Sequence, residues 1–189
     1  MEDMHPPQYD ARTPDDYLEH LSKSVFQAGI SWRVVNAKWP DIKAAMHGFK
    51  AQRVAKLSER DIDALAKDER MIRSRPKIAA VVHNARELVA MEEDGGIRKH
   101  LRSFRDYDAL ESDLTKRFKF VGPSGTYHFL WSVKHPVPDW REWSKARGMN
   151  WGDGKAKGAR SGENDQKGAK GGRGGAAPRA RRPSHPRER

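Results

Sequence analysis

The sequence contains no cysteine, and this absence excludes disulfide bonds and any zinc or iron–sulfur site built on thiolates. Its eight histidines are scattered, and no two stand at the spacing of a helical metal site, so we expect no metal and no other cofactor. No apolar run approaches the roughly 18 residues of a membrane span, and the first residues lack a signal-peptide pattern. These absences predict a cytoplasmic protein, monomeric and without a membrane partner.

Hydrophobic residues are also few, at 36% of the chain, and basic charge is concentrated at one end. Between Ser144 and Arg189 there are 13 Lys/Arg against 4 Asp/Glu, whereas residues 1–143 hold 24 against 22. Ten of the 16 glycines lie in the same tail, so we predict that residues 144–189 are disordered. A basic tail of this kind attracts nucleic-acid phosphates, RNA included; the alternative is a solubilising extension with no partner.

Residues 13–143 are predicted to form a domain of short helices, after a flexible N-terminus of residues 1–12. Thr13, followed by a proline and two acidic residues, is a strong helix start, and Ser58 repeats the capping pattern. Helices are expected to begin at Thr13, Ser31, Asp41, Ser58, Pro76, Tyr107 and Ser124. Pro40 is expected to separate the second helix from the third. No alternation with a period of two is sustained, so the fold class is all-α, a compact bundle of short helices.

The stretch VFQAGISW, from Val25 to Trp32, contains the first candidate site. Gly29 is a typical helix stop because glycine adopts positive φ without penalty. Ile30 and Trp32 follow this stop directly. They either fill the core or stand at the tip of a turn as a wedge and a stacking surface.

Two basic turns between helices are further candidates. In RFKFVGPSGTY, Gly122 and Gly125 allow the backbone to approach a ligand closely, next to the free N–H groups of a helix start and to Lys119. Such a turn would bind the DNA backbone without sequence specificity. The alternative is a purely structural role, which is common for glycine turns between helices.

The second basic turn is RMIRSRPKI, which holds four cations at a break between two helices. Three of these, Arg73, Arg75 and Lys77, are candidate DNA contacts. The alternative is a solvated connection, but two basic turns in one small helical domain favour a surface that binds a duplex.

The segments QAGISW, RMIRSRPKIAAVVHNARELVAMEEDG and RFKFVG, in this order, resemble the 3-methyladenine DNA glycosylase I family. That family belongs to the helix–hairpin–helix glycosylase superfamily, and the likeness covers roughly residues 15–140. The resemblance implies a helix–hairpin–helix glycosylase fold, double-stranded DNA as partner and an association with the nucleoid.

The resemblance also implies roles for individual residues. Gly29 and Ile30 match positions that fill the gap left by an extruded nucleotide, and Trp32 matches an indole that forms one wall of the base pocket. Gln27 is placed in the same pocket. The family carries a glutamate where this chain has Ser24, so a hydroxyl stands in the catalytic pocket in place of a countercharge for the cationic base.

Other family features are absent or displaced. The N-terminal segment with pocket aromatics and a zinc-binding Cys and His has no counterpart, so the ends of the domain are expected to be held by Trp140 and Trp143. Asp139 lies near the catalytic aspartate of many superfamily members, and its alternative role is a helix cap. No lysine follows Gly122 at the place of a Schiff-base nucleophile, which predicts excision of the base without strand cleavage.

Two functions remain open at this point. The first is a monofunctional DNA N-glycosylase of base-excision repair that flips and hydrolytically removes an alkylated purine such as 3-methyladenine. The second is a glycosylase scaffold with impaired chemistry that binds distorted or damaged DNA. Ser24, the missing pocket segment and the basic tail favour the second; the likeness in all three segments favours the first.

Overall fold

The computed structural model describes residues 7–149, and these residues form helices and turns with no strand. The predicted all-α class is therefore confirmed. No helix in this part of the chain is long and apolar enough to cross a membrane. The helices are α1 (Pro14–Gln27), α2 (Trp32–Ala45), α3 (Ala51–Val54), α4 (Glu59–Leu65), α5 (Arg75–Met91), α6 (Gly96–Ser103), α7 (Tyr107–Arg117), α8 (Pro123–Ser132) and α9 (Trp140–Ala146).

Side-chain caps start several of these helices where the sequence predicts them. The hydroxyl of Thr13 accepts a hydrogen bond from the amide of Asp16, and the carboxylate of Asp16 accepts one from the amide of Thr13, which completes a capping box. Ser58 and Asp61 form the same reciprocal pair at α4. Each pair satisfies amides that have no partner within the helix, which is why these short helices start at defined residues.

The predicted break at Pro40 is wrong, because α2 continues through this proline to Ala45. Trp39 and Ile42 flank Pro40 and are both buried. Trp39 also stacks on Phe49, with ring centroids 5.1 Å apart, and donates a hydrogen bond from its indole nitrogen to Glu19. Burial of these side chains outweighs the loss of one main-chain hydrogen bond, so tertiary packing overrides the local signal.

Helices α1 and α5 form the centre of the domain. Helix α1 packs against α5 and α8, and α5 also packs against α3, α4 and α6. Residues of α1 with no exposure, Leu18, Leu21, Val25 and Phe26, supply one side of the core. The C-terminal end of α1, which carries Ser24 and Gln27, is therefore held between α5 and α8.

The chain before α1 is partly attached to this core, although residues 1–12 were predicted to be flexible. Ala11 is buried, and the amide of Tyr9 donates a hydrogen bond to the oxygen of Ser132 at 2.7 Å. The ring of Tyr9 lies 4.6 Å from the ring of His20, which is itself buried. This burial lowers the pKa of His20 to about 4, so the ring is neutral at neutral pH.

The C-terminal helix α9 is held by aromatic packing, as predicted for Trp140 and Trp143. Their rings stack with centroids 5.2 Å apart, and the indole nitrogen of Trp143 donates a hydrogen bond to Glu111 at 3.1 Å. Arg147 also bonds to Glu111, at 2.9 Å. The helix thus runs past the predicted boundary at Ser144; the rest of the predicted tail, residues 150–189, lies outside the described residues.

Candidate nucleic-acid interface

The turn between α1 and α2 lies at the surface. Helix α1 ends at Gln27, and the amide of Ile30 donates a hydrogen bond to the main-chain oxygen of Gln27 at 3.0 Å, which closes the turn. Gly29 has a φ of 73°, a conformation that glycine adopts without steric cost. A Cβ atom at Gly29 would meet nothing within 4 Å, so this backbone faces open space and is free to approach a ligand.

The side chains of this turn differ in exposure. Trp32 is 60% exposed, and Val34 on the same turn of α2 is 50% exposed. The core alternative for Trp32 is therefore wrong. Ile30 is half-buried and packs partly against the core, and the side chain of Gln27 is also half-buried. An exposed indole beside a glycine turn offers a flat face on which a base can stack.

Lys77 does not lie on the surface as a DNA contact, and this corrects its prediction. The residue is 7% exposed, and its ammonium group donates hydrogen bonds to the main-chain oxygens of Phe26, at 3.1 Å, and of Ala28. Burial lowers the pKa of Lys77. The cation sits at the negative end of the α1 dipole and satisfies carbonyl groups that the helix leaves free. Lys77 therefore holds the α1–α2 turn in place.

Arg73 and Arg75 are exposed, but neither is the free cation that the sequence predicts. Arg75 donates hydrogen bonds to Asp63 and Glu59, at 2.6 Å each, and Arg73 lies 3.4 Å from Glu69. Such exposed ion pairs contribute little to stability, so the guanidinium groups can exchange a carboxylate for another anion at small cost. A direct role in DNA binding stays a prediction for both.

The turn between α7 and α8 is anchored by α5, through residues that the sequence reasoning missed. Asn84 has no exposure; its side-chain oxygen accepts a hydrogen bond from the amide of Lys119 at 2.8 Å, and its side-chain nitrogen donates to the oxygen of Lys119 at 3.2 Å. The ring of His83 bonds to the oxygen of Arg117 at 3.1 Å. An amide in the middle of an apolar helix face was the available signal, since such a group must find a partner when buried.

This anchoring presents two side chains at the tip of the turn. Lys119 is exposed and forms no ion pair within residues 7–149. Phe120 is 49% exposed and has a φ of 57°, a conformation that costs a residue with a side chain of order 1–3 kcal/mol. The fold thus places an aromatic ring in a strained and exposed position, which is typical of a functional turn. Phe120 was also missed.

The two glycines of this turn serve different purposes. Gly122 is the N-cap of α8, no side chain caps the helix there, and a Cβ atom would meet nothing within 4 Å. The start of α8 is therefore open to an anion. At Gly125 a Cβ atom would lie 3.6 Å from Val121 and 3.7 Å from the Cβ of Ser24, so this residue faces the interior. These are ordinary van der Waals distances, so Gly125 packs beside α1 without a steric need for glycine. Its DNA contact stays a prediction.

Ser24 is buried between α1 and α8, at 7% exposure. It lies one helical turn before Gln27 and faces the first turn of α8 through Gly125. Its hydroxyl forms no hydrogen bond within the described residues. The structure therefore brings Ser24 close to the α7–α8 turn and leaves its hydroxyl available.

Asp139 has a structural role in the fold, and its catalytic role stays a prediction. Its carboxylate accepts hydrogen bonds from the amides of Arg141, at 2.9 Å, and Glu142, at 3.1 Å, and so caps α9. A carboxylate engaged in a cap is held by the helix start. This is the alternative role that the sequence left open.

A family model described as methyladenine glycosylase matches residues 7–116. DNA-3-methyladenine glycosylase 1 of Escherichia coli (strain K12) is 34% identical over 55% of this chain and 67% of its own length. The DNA-3-methyladenine glycosylase of Haemophilus influenzae is 31% identical, over 57% of this chain and 70% of its own.

Solved structures of 3-methyladenine DNA glycosylases are also similar to this fold. A crystal structure of 3-methyladenine DNA glycosylase I superposes with a TM-score of 0.60 at 29% identity, covering 67% of this chain and 81% of that one. The enzyme of Staphylococcus aureus superposes with a TM-score of 0.58 at 26% identity, over 68% and 78% of the two chains. On the family match over more than half of the chain and on these relatives, the protein belongs to the methyladenine glycosylase family.

Proposed function

We propose that this protein is a DNA glycosylase of base-excision repair that removes an alkylated purine such as 3-methyladenine by hydrolysis of the N-glycosidic bond. The observation that carries the proposal is the exposed indole of Trp32 beside the open Gly29 turn. Relatives named as DNA-3-methyladenine glycosylases support the assignment, and one solved relative is described as recognising 3-methyladenine.

In this mechanism the α1–α2 turn enters the duplex at a damaged base pair. Ile30 and the backbone of Gly29 occupy the space of the extruded nucleotide and offset part of the lost stacking. A damaged base is cheaper to extrude, which gives part of the selectivity. The flipped base lies against Trp32, whose indole face attracts a desolvated cationic ring by about 2 kcal/mol.

Water completes the reaction without a covalent enzyme intermediate. An alkylated purine carries a positive charge and leaves readily as a neutral base, so the glycosidic bond breaks with little general acid. The positive charge passes to the sugar carbon from which the base departs, and water adds to this carbon and releases a proton to solvent. Ser24 supplies a hydroxyl to the pocket and no countercharge.

Helix α5 fixes the two DNA-facing turns relative to each other. Lys77 holds the α1–α2 turn, and Asn84 holds the α7–α8 turn. The two residues are seven positions apart on one helix, an offset of about 10 Å along its axis, or about three nucleotides of one strand. The start of α8 and Lys119 are proposed to bind phosphates, and the α1–α2 turn to flip the base. Because α5 holds both turns, the distance between these two sites stays constant.

The second candidate function is a scaffold that binds damaged DNA without chemistry. It is favoured by Ser24 in place of an acid and by the engagement of Asp139 in a helix cap. An assay of base release from alkylated duplex DNA, with the protein in excess, distinguishes the two functions. Release of 3-methyladenine or 7-methylguanine above background supports the glycosylase. Tight binding to abasic or mismatched duplexes with no release supports the scaffold.

We further propose that the tail, residues 150–189, binds nucleic-acid phosphates non-specifically. Replacing its lysines and arginines by glutamine is expected to weaken duplex binding and to flatten its dependence on salt. Unchanged affinity and an unchanged salt slope would show that the tail has no part in binding. The protein is expected to act as a monomer, which sedimentation checks.

A further inference from the structure

A cavity lies apart from the α1–α2 turn. It has a volume of about 790 Å³ and is bounded by the start of α1, by α6 and by the segment that follows α8. Tyr17 lines it near the start of α1, ten residues before Gln27, so the cavity is about 15 Å along the helix axis from the α1–α2 turn.

Four exposed cations line this cavity, and none of them forms an ion pair within residues 7–149; they are Arg98, Arg102, Arg105 and Lys134. Arg98 and Arg102 are four residues apart on α6, where like charges repel. Of the two acidic residues in the lining, Asp10 pairs with Arg12, and Asp106 caps α7. Both carboxylates of the lining are thus already engaged, and the four cations outnumber them, so the lining carries excess positive charge.

The cations of the cavity act on the same two titratable groups, Asp10 and Tyr17. The pKa of Asp10 is lowered first by the hydrogen bond and charge of Arg12, and then by Lys134 and Arg98. Burial raises the pKa of Tyr17, while the charges of Arg98 and Arg102 oppose that rise. The hydroxyl of Tyr17 donates no hydrogen bond within the described residues, so one neutral donor stands among the cations.

Lys134, which lines the cavity, has a strained backbone conformation. It follows α8 with a φ of 56°, in the left-handed region that favours glycine after a helix. The amide of the next residue, His135, bonds back to the oxygen of Leu130 at 2.9 Å, which closes the helix end. The side chain of Lys134 is exposed at this strained position and lines the cavity.

Aromatic and proline residues belong to the same lining. Phe104 and Tyr107 are half-buried there, and the segment from Pro136 to Pro138 follows. The ring of Phe104 packs edge-on against His100, at 5.2 Å between centroids, and the ring of Tyr107 against Tyr127, at 6.3 Å. A cationic rim next to aromatic rings suits a ligand that joins a phosphate to a flat ring. The volume falls within the range of small-molecule sites, about 300–1,000 Å³.

We propose that this cavity binds a nucleoside phosphate unit, with the phosphate on Arg98, Arg102 and Lys134 and the base against Phe104 and Tyr107. The unit comes either from a free nucleotide or from a single-stranded nucleic acid, whose bases are unpaired and accessible. The bases of an intact duplex are stacked and cannot enter. The site is separate from the one proposed for base excision.

Binding of adenosine 5′-monophosphate to the full-length protein, measured by calorimetry at low salt, tests the site. The double variant R98Q/R102Q is expected to raise the dissociation constant at least about tenfold, because each arginine contributes a charged hydrogen bond. The matched control is R60Q/K67Q, which removes two exposed cations outside the lining and is expected to bind as the wild type does. Equal affinity in all three proteins, or no binding to the wild type, overturns the proposal.

Two further measurements complete the test. Phe104→Leu is expected to weaken binding of adenosine 5′-monophosphate and to leave binding of inorganic phosphate unchanged, since only the base contact is lost. A short single-stranded oligodeoxyadenylate that competes with the mononucleotide and binds more tightly identifies the strand as the source; weaker binding identifies the free nucleotide. Release of 3-methyladenine is expected to be unchanged in R98Q/R102Q, so failure of this site and failure of the glycosylase are distinguishable.

Discussion

The ammonium group of Lys77 lies against the main-chain oxygen of Ala28 and so joins the first turn of α5 to the exposed α1–α2 turn. Lys77 itself is buried, and its ammonium group donates a second hydrogen bond to the oxygen of Phe26. A cation from a basic segment thus positions the turn that is proposed to enter DNA, although the same segment was predicted to contact phosphates directly.

Lys77→Met is expected to lower the free energy of unfolding by about 1–3 kcal/mol, because it removes charged hydrogen bonds and leaves two oxygens without their partner. The amide of Ile30 is expected to exchange its hydrogen faster, since the turn loosens. The control is Lys38→Met, which removes a half-buried lysine that bonds to the oxygen of Glu69. Equal exchange at Ile30 in both variants would contradict the positioning role.

Trp32→Ala is expected to reduce release of 3-methyladenine by about thirtyfold or more, from the loss of about 2 kcal/mol of stacking on a cationic base. The free energy of unfolding is expected to stay within about 0.5 kcal/mol of the wild type, because the side chain is largely exposed. Val34→Ala, in the same exposed patch, is the control and is expected to retain release. A similar loss in both variants would indicate a general effect of apolar surface.

Ser24→Glu is expected to increase release of cationic bases at least about tenfold, by supplying a countercharge in the pocket. The variant is expected to be less stable than the wild type, since Ser24 is buried beside Gly125 and a carboxylate loses solvation there. Ser24→Gln has the same shape without the charge. An equal gain with glutamine would refute the countercharge explanation.

Asn84→Ala is expected to destabilise the protein by about 2 kcal/mol, since the amide and oxygen of Lys119 both lose their partner. Duplex affinity is expected to fall as well, because the α7–α8 turn is no longer held. Thr126→Val, at an equally buried position of α8, keeps the anchor and serves as the control. Denaturant unfolding and duplex titration measure the two effects. Loss of stability with full duplex affinity would mean that the turn does not bind DNA.

His20 predicts a dependence of stability on pH. Its pKa is about 4 in the folded state, against 6.5 ordinarily, because burial disfavours the charged ring. Between these values the unfolded state binds more protons, so the free energy of unfolding falls by about 3 kcal/mol as the pH drops from 6.5 to 4. His20→Met is expected to remove this part of the pH dependence, and His47→Asn, at an exposed position, to retain it. Parallel pH profiles for His20→Met and the wild type would contradict this.

Local signals of the sequence predicted much of the fold. The capping boxes at Thr13 and Ser58 start helices as expected, because a side chain and an amide three residues apart satisfy each other with no help from the rest of the chain. Helix α7, predicted from Tyr107, also begins there. Pro40 failed as a signal, since the packing of Trp39 outweighs one lost hydrogen bond.

The candidate site was likewise only partly predictable from the sequence. Positive φ at Gly29 and the position of Trp32 just after it follow from the order of residues, so the turn was predictable. The partners of Lys77 and Asn84 lie 49 and 35 residues away in the chain, and no local pattern specifies contacts of that separation.

The sequence by itself determined an all-helical domain, its family and a glycine turn followed by an indole, because each depends on neighbouring residues. Only the tertiary structure decided that this indole is exposed and which cations face solvent. Lys77 is buried, Arg75 is paired, and the cations of the cavity are left without acidic partners, since the charge that a side chain meets depends on helices distant in sequence.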